Sequence, residues 1–572
     1  MSVRNLVVDR GVMVNMRDGV RLAADVYRPA TGAWPALLSR TPYGKEYWQG
    51  TLAAINPINA CSRGFAVVIQ DVRGRRASEG EFSPFLNEAR DGHDAITWVS
   101  AQPWCDGRVG MFGSSYMAAT QLQAAIGAPG SLAAFCAVQG SSDYYEGRTY
   151  RGGAFEIGAM LGLALYSLGM SDSTTLGTRR MEILRRVQAR LENLSDLAVD
   201  VLSNDEESLS LLDHVAPFFR DWRAHRTEDA YWRNLSIEPH YAEIRVPGLH
   251  ISSWYDAFHV GTIKNWAGIR QDGAAPQFLL LGPWGHYPPR TALVGTATVG
   301  EASVGLSAVL DLEEIQLRWF DHVLHSADSW HWPAPVRLFL MGANEWRWED
   351  DFPPSDVRTV PLYLAAELGS PSGLGLRWQP AGQQSVGTFV YNPADPVPTM
   401  GGAHLMLESQ YPQGRIDQRV NAARPDVLVY TSPPVTADID IVGWVRTRLY
   451  VRSTAPCTDF TATFVEVEPS GRALNICDGI RRVELNSGGA ATEIVIEMGA
   501  TAVRIPAGNR LGLHVSSSNF PRFDVNPNVM AVERGLPAAV RATQTVQHGG
   551  ITASAVELPI RKARPKSARS VT

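Results

Sequence analysis

Short apolar runs alternate with helical patterns over the first 145 residues of the chain. The segments 36–39 and 65–70 are short, apolar and followed by polar loops, as buried strands of a parallel sheet are. Apolar positions lie on one side of a predicted helix at residues 87–101, and a second strand–helix pair follows at residues 109–126. Because parallel strands are joined by crossover helices, this alternation predicts an α/β fold.

The character of the chain changes twice beyond this point. Long, charged helical patterns follow first and predict helices at residues 156–170 and 178–204. Strand-like runs then return at residues 248–252 and 278–281, and the last third is rich in short Val-, Thr- and Ile-containing runs. A chain of 572 residues also exceeds the roughly 250–300 residues of a single core. We therefore predict an α/β core in two parts (1–145 and 241–354), an inserted helical cap (146–240), an all-β jelly roll (355–560) and a disordered basic tail (561–572).

Composition and charge exclude several classes of protein. The net charge of −6 gives no reason to expect a nucleic-acid partner, and no run approaches the ~18–20 apolar residues of a membrane span. The five cysteines are scattered and form no C-x-x-C pair, which argues against a disulfide framework and a thiolate zinc site. Without a signal-peptide pattern, we expect a soluble, cytoplasmic protein that needs no metal or cofactor.

A candidate nucleophile stands at the second strand–helix junction. The tetrapeptide Gly113-Ser114-Ser115-Tyr116 follows a strand-like run and opens a helical one. In a nucleophile elbow, such a turn lifts a serine hydroxyl off the sheet, and the next backbone N–H helps to bind an oxyanion. The pattern G-x-S selects Ser115 rather than Ser114. Met117 replaces the usual second glycine, so the motif by itself is equally compatible with an ordinary Gly-Ser turn.

Two further residues complete a catalytic set in the expected chain order. Asp256 follows the strand-like run 248–252, and His286 follows the run 278–281. A serine hydroxyl needs a base to take its proton, and that base needs an orienting group. The order Ser, Asp, His is that of α/β-hydrolases, whose sites lie beyond the carboxyl ends of the strands. Thirteen histidines offer rivals, but the ordered agreement of all three elements favours a Ser115–Asp256–His286 triad.

The chain resembles the cocaine-esterase-like members of the X-prolyl dipeptidyl-peptidase superfamily, up to the basic tail. The matching segments are 16–22, 41–45, 71–74, 78–80, 104–113, 282–286 and 515–521. The resemblance implies an α/β-hydrolase core with an inserted helical cap and a C-terminal jelly roll. It also implies that Ser115 is the nucleophile, His286 the general base and Asp256 its orienting acid. The family's oxyanion hole maps onto the backbone N–H of Tyr116 and the hydroxyl of Tyr43.

We accordingly expect a serine hydrolase that cleaves small carboxylic esters through a covalent acyl-enzyme. Aromatic residues near the predicted core–cap boundary suggest an aromatic or apolar acyl pocket, although such residues also serve packing: Tyr144, Phe155, Trp254 and Phe258. Three carboxylates in the same region are candidates to bind a substrate ammonium group, or are structural caps and ion-pair partners: Asp143, Glu146 and Glu156. The neighbouring Arg148 and Arg151 would oppose a cationic substrate.

Two alternatives remain open at this stage. One is an amide-cleaving acylase, an α-amino-acid ester hydrolase or an X-prolyl-peptidase-like enzyme with the same catalytic residues. The other is a non-catalytic binding protein whose jelly roll recognises carbohydrate or another chain. A homodimer is compatible with the resemblance, but no residue pattern indicates it.

Overall fold

Two large β-sheets, one in each half of the chain, organise the protein. The computed structural model describes residues 6–50, 54–169, 180–271, 275–286, 297–367, 372–485, 490–530 and 539–562. The strands of the first half are β1 (Leu6–Asn15), β2 (Arg21–Pro29), β3 (Trp34–Thr41), β4 (Ala66–Asp71), β5 (Cys105–Ser114), β6 (Leu132–Val138), β7 (Tyr150–Arg151), β8 (Ala154–Phe155), β9 (Gly248–Tyr255), β10 (Gln277–Gly285), β11 (Thr298–Val299), β12 (Ala302–Ser303), β13 (Val336–Leu340) and β14 (Glu345–Glu349).

The α-helices of the described chain lie mostly between these strands. They are α1 (Pro57–Ser62), α2 (Glu88–Ser100), α3 (Tyr116–Ala125), α4 (Ile157–Gly162), α5 (Arg180–Leu191), α6 (Leu194–Leu202), α7 (Glu206–Val215), α8 (Phe219–Ala224), α9 (Ala230–Arg233), α10 (His259–Gln271), α11 (Leu312–His325) and α12 (Arg419–Ala422). None of the helices in the described ranges is long and apolar enough to cross a membrane.

The first sheet has ten strands in the order β1-β2-β4-β3-β5-β6-β9-β10-β13-β14. Strands β4, β3, β5, β6, β9, β10 and β13 run parallel, while β1, β2 and β14 pair antiparallel at the two ends. Every residue of β4 and β9 is buried, because helices cover both faces of the sheet. The predicted α/β core is confirmed.

Between β6 and β9, the described chain is mainly helical, and its helices are shorter than predicted. The helix predicted at 156–170 divides into α4 and a π-helical turn at Leu163–Gly169. The helix predicted at 178–204 breaks between α5 and α6, where Asn193 accepts a hydrogen bond from Asp196 N–H and caps α6. Residues 170, 178 and 179 of these predictions lie outside the described residues.

The second half is β-rich, as predicted. Its strands are β15 (Arg358–Ala366), β16 (Leu374–Arg377), β17 (Ser385–Tyr391), β18 (Leu428–Thr431), β19 (Ile439–Ser453), β20 (Cys457–Val467), β21 (Ala473–Glu484), β22 (Thr492–Ile505), β23 (Arg510–Ser516), β24 (Ala542–His548) and β25 (Ala555–Lys562). They form one hydrogen-bonded sheet around a single apolar cluster. Jelly-roll connectivity and the residue boundaries of the domains stay predictions.

The start of the predicted disordered tail needs correction. Strand β25 extends to Lys562, so Arg561 belongs to the sheet rather than to a tail. Its guanidinium is only 1% exposed and donates to both oxygens of Glu349, at 2.5 and 3.1 Å, and to Asp356 at 3.0 Å. The sequence gives no sign that Arg561 is buried, because its partner Glu349 lies 212 positions away along the chain. Residues 563–572 of the predicted tail lie outside the described residues.

Replacing Arg561 by Gln should lower the free energy of unfolding by about 3 kcal/mol, because the buried Glu349 would lose its counter-charge. Urea unfolding followed by circular dichroism measures this loss. The matched control is Lys562→Gln at the neighbouring exposed position, which should stay within about 0.5 kcal/mol of wild type. Equal stability of both variants would contradict a structural role for Arg561.

Candidate active site

The turn between β5 and α3 has the geometry of a nucleophile elbow. Ser115 adopts φ 59° and ψ −117°, a backbone conformation that non-glycine residues rarely occupy. Its N–H donates to Val138 O of the adjacent strand β6 at 2.9 Å. Gly113, with φ 134°, has no room for a side chain, since a Cβ there would lie 2.5 Å from the Met117 Cβ. Met117 therefore fills the space that the missing side chain of Gly113 leaves.

Asp256 and His286 form a buried pair at the ends of β9 and β10. His286 Nδ1 lies 2.7 Å from Asp256 Oδ1, and both side chains are almost fully buried. The second carboxylate oxygen of Asp256 accepts a hydrogen bond from Ser252 Oγ at 2.7 Å. Because His286 Nδ1 faces the Asp256 carboxylate, Nε2 is the ring nitrogen that would act as the general base.

Sheet order brings the three predicted catalytic residues to one edge. Strands β5, β6, β9 and β10 are consecutive neighbours and parallel, so their carboxyl ends point the same way. Phe258 lies near both Ser115 and His286. It lines a cavity together with Ser115, and its ring centroid lies 5.5 Å from that of His286.

Two rival histidines near these strands are engaged elsewhere. The His259 Nδ1 faces the backbone oxygen of Asp256 at 2.8 Å, and its Nε2 accepts the Ala500 N–H at 3.2 Å. His250 Nε2 bonds to Gln277 Oε1 inside the sheet. Burial lowers the pKa of each ring to about 4, so both are neutral structural residues.

The cavity at Ser115 has about 320 Å³ of empty volume and is walled by three parts of the chain. The sheet edge contributes Tyr43 and Ser115, the π-helical turn contributes Leu163, and the second half of the chain contributes Leu405. The site is therefore complete only when the β-rich half is docked on the core.

Tyr116 lines the cavity, and its side-chain hydroxyl is engaged with other residues. Its buried hydroxyl donates to Glu88 Oε1 at 2.9 Å and accepts the Phe85 N–H at 2.9 Å. Burial raises the pKa of Tyr116 well above its usual value. Its N–H belongs to the first turn of α3, where backbone donors have no partner within the helix and carry partial positive charge. Arg40 pairs with Glu88 at 2.8 Å and thereby holds the carboxylate that accepts from the Tyr116 hydroxyl.

The aromatic residues predicted to line the pocket divide into two pairs. Tyr144 and Phe258 line the cavity at Ser115. Phe155 instead packs against Tyr150 in the helical region, with ring centroids 5.1 Å apart. Trp254 points to the interface with the β-rich half, where its Nε1 donates to Phe339 O at 2.8 Å. Phe155 and Trp254 therefore do not line this cavity, because nearness in sequence to a site residue does not fix the side-chain direction.

The three candidate carboxylates for a substrate ammonium have structural partners. Asp143 Oδ1 accepts the N–H groups of Tyr145 and Glu146, at 2.7 and 2.8 Å. Glu146 accepts the Gly152 N–H, and Glu156 pairs with Arg151 at 2.8 Å. None of the three lines the cavity at Ser115. Within the described ranges, no cluster of His, Cys, Asp or Glu could hold a metal ion.

Gln413 is a site residue that the sequence analysis missed. Its Oε1 accepts the backbone N–H of His286 at 2.8 Å, and its Nε2 donates to His404 O. The preceding Gly285 leaves room for this amide, since a Cβ there would lie 1.9 Å from Gln413 Oε1. No pattern could reveal the contact, because it joins residues 127 positions apart.

Comparisons with known proteins identify the family of the chain. Residues 18–288 match the model of the X-Pro dipeptidyl-peptidase (S15) family, and residues 329–557 match that of its C-terminal non-catalytic domain. The chain is 36% identical to the cocaine esterase of Rhodococcus sp. (strain MB1 Bresler), over 98% of this chain and 99% of that protein. The chain belongs to the cocaine-esterase-like family of serine hydrolases. It is thus a serine hydrolase that acts on esters.

Solved structures of lower identity share the fold of this cocaine-esterase-like chain. An aminopeptidase from a marine sediment Thaumarchaeota archaeon has a TM-score of 0.79 at 23% identity, over 98% of this chain and 97% of that one. An α-amino-acid ester hydrolase has a TM-score of 0.78 at 22% identity, with the same coverage.

Replacing Gln413 by Ala should lower kcat for ester hydrolysis by about tenfold, because His286 would lose the contact that fixes its backbone. Steady-state kinetics on 4-nitrophenyl butyrate measures the effect. Gln410→Ala is the matched control in the same segment, since that amide bonds to the helical region at Leu191 and Leu194. A kcat for Gln413→Ala equal to that of this control would contradict a positioning role.

Proposed function

We propose that the chain hydrolyses carboxylic esters by two-step acyl transfer at Ser115. His286 removes the Ser115 proton as the hydroxyl oxygen attacks the ester carbonyl, and it then protonates the leaving alcohol. Water, activated by the same imidazole, releases the acid from the acyl-enzyme. The observation that carries the proposal is the 2.7 Å contact of His286 Nδ1 with buried Asp256, at the same sheet edge as a serine held in an elbow conformation.

The negative charge that develops on the carbonyl oxygen needs donors aimed at it. The Tyr116 N–H at the start of α3 and the Tyr43 hydroxyl supply them in this proposal. Tyr43 follows β3, its N–H is held by Thr41 Oγ1 at 3.1 Å, and its side chain lines the cavity with Ser115. Such preorganised donors act strongly in a buried site, where water does not compete.

The walls of the cavity favour an acyl group whose carbon chain is apolar or aromatic. These walls include Phe85, Tyr144, Phe258 and Leu163, and such apolar and aromatic linings are typical of small-molecule sites. A cationic α-amino acyl group is disfavoured, because Arg148 lines the cavity and the nearby carboxylates are engaged elsewhere. The observations therefore favour ester hydrolysis over the aminopeptidase-like alternatives.

Ser115→Ala should lower kcat on 4-nitrophenyl acetate, butyrate and benzoate by at least about 10⁴-fold, because no nucleophile remains. Ser114→Ala is the control, since Ser114 ends β5 and should keep activity within about threefold of wild type. Spectrophotometric release of 4-nitrophenol measures both variants. Wild-type turnover by Ser115→Ala would show that another residue attacks the ester.

Tyr43→Phe should lower kcat by about 10²–10³-fold with a small change in KM, because one oxyanion donor is lost in the transition state. Steady-state kinetics on the same three esters measures kcat and KM. An unchanged melting temperature of Tyr43→Phe would show that the variant is folded. If Tyr43→Phe raised KM and kept kcat, the tyrosine would bind the ground state instead.

A further inference from the structure

Arg148 is a buried cation in the wall of the active-site cavity. Its side chain lies in the segment between β6 and β7 and lines the cavity together with Ser115 and Tyr43. The residue is only 4% exposed. A buried charge is costly unless it is paired, so its surroundings indicate what it is there to bind.

No carboxylate of the described residues lies within 4.0 Å of the Arg148 guanidinium. Among the described residues, the guanidinium makes two hydrogen bonds, and Nη1 donates both. The acceptors are Thr149 Oγ1 at 3.1 Å and Met160 Sδ at 3.9 Å.

Five other buried arginines each pair with a carboxylate: Arg40, Arg151, Arg415, Arg522 and Arg561. Arg75 is also buried, and it donates to the backbone oxygens of Pro42 at 2.9 Å and Leu168 at 2.6 Å. Arg148 thus lines the cavity without the carboxylate partner that most of the buried arginines have.

Three aromatic rings surround the Arg148 guanidinium. The guanidinium carbon lies 4.6 Å from the ring centre of Phe85, 5.0 Å from that of Trp222 and 5.8 Å from that of Tyr144. Cation–π contacts of this kind stabilise a buried cation. Burial lowers the pKa of Arg148 to about 10, so the group stays positively charged at neutral pH.

A second donor without a partner lies beside it. The Tyr144 hydroxyl is buried and has no hydrogen-bond partner among the described residues. Burial raises the pKa of Tyr144, so the hydroxyl keeps its proton and can donate. Tyr144 lines the same cavity as Arg148. One cavity thus contains a cation without a counter-ion and a hydroxyl without an acceptor.

We propose that Arg148 and Tyr144 bind a carboxylate at the far end of the acyl group, so that monoesters of dicarboxylic acids are the preferred substrates. This inference rests on the proposed function, since it takes the cavity at Ser115 as the acyl site. A carboxylate suits this guanidinium, because its two oxygens can accept parallel hydrogen bonds from the N–H groups of an arginine. The apolar walls, including Leu163 and Phe258, would contact the carbon chain between the two carboxyl groups.

The test compares two esters of equal acyl length, the mono-4-nitrophenyl ester of adipic acid and 4-nitrophenyl hexanoate. Wild type should show a kcat/KM at least about 30-fold higher for the adipate ester, because charged hydrogen bonds in a buried site discriminate strongly. Arg148→Met should abolish this ratio, because the adipate ester loses a charged partner that the hexanoate ester never had. Arg148→Lys should restore part of the ratio, and Tyr144→Phe should lower it by about tenfold.

The matched control is Arg481→Met, at an exposed arginine outside the cavity, which should leave the ratio unchanged. A wild-type preference for the hexanoate ester would overturn the inference, and so would an equal loss of both activities in Arg148→Met. Turnover of 4-nitrophenyl hexanoate by wild type tests the proposed function separately. Calorimetric titration of adipate into wild type and Arg148→Met gives a readout without turnover, and equal binding to both would also contradict the proposal.

Discussion

The backbone turn at Ser115 is the constraint on which the rest of the site depends. A non-glycine residue at φ 59° and ψ −117° costs on the order of 1–3 kcal/mol, so the surrounding contacts must hold it. The Ser115 N–H donates to β6, and the Gln121 side-chain amide donates to Gly113 O at 3.0 Å. Met117 packs against Gly113, which has no side chain. The strain places the serine oxygen above the sheet edge, beside the N-terminus of α3.

The other parts of the site are held relative to this turn by contacts from distant segments. Buried Arg40 and Glu88 fix the first residue of α3 through the Tyr116 hydroxyl, and Gln413 holds the backbone of His286. The β-rich half therefore does more than cover the core. The family model of this half describes it as non-catalytic, which agrees with a part that positions His286 and walls the cavity through Leu405.

The elements that depend on local pattern could be predicted from the sequence. The strand–helix junction at Ser115 and the strand ends before Asp256 and His286 follow from short apolar runs and their order along the chain. Long-range contacts could not be predicted in this way. The partner of Arg561, the direction of Trp254 and the isolation of Arg148 depend on residues far away in sequence, whose positions are set by packing.

The most direct test of the account is to locate the serine that reacts with a fluorophosphonate. Wild-type protein is treated with diisopropyl fluorophosphate, digested, and analysed by mass spectrometry. The account predicts one adduct per chain, on Ser115, and strongly reduced labelling of the His286→Ala variant because the hydroxyl would lose its base. An adduct on Ser114 or on a serine outside the cavity, or equal labelling of His286→Ala, would contradict it.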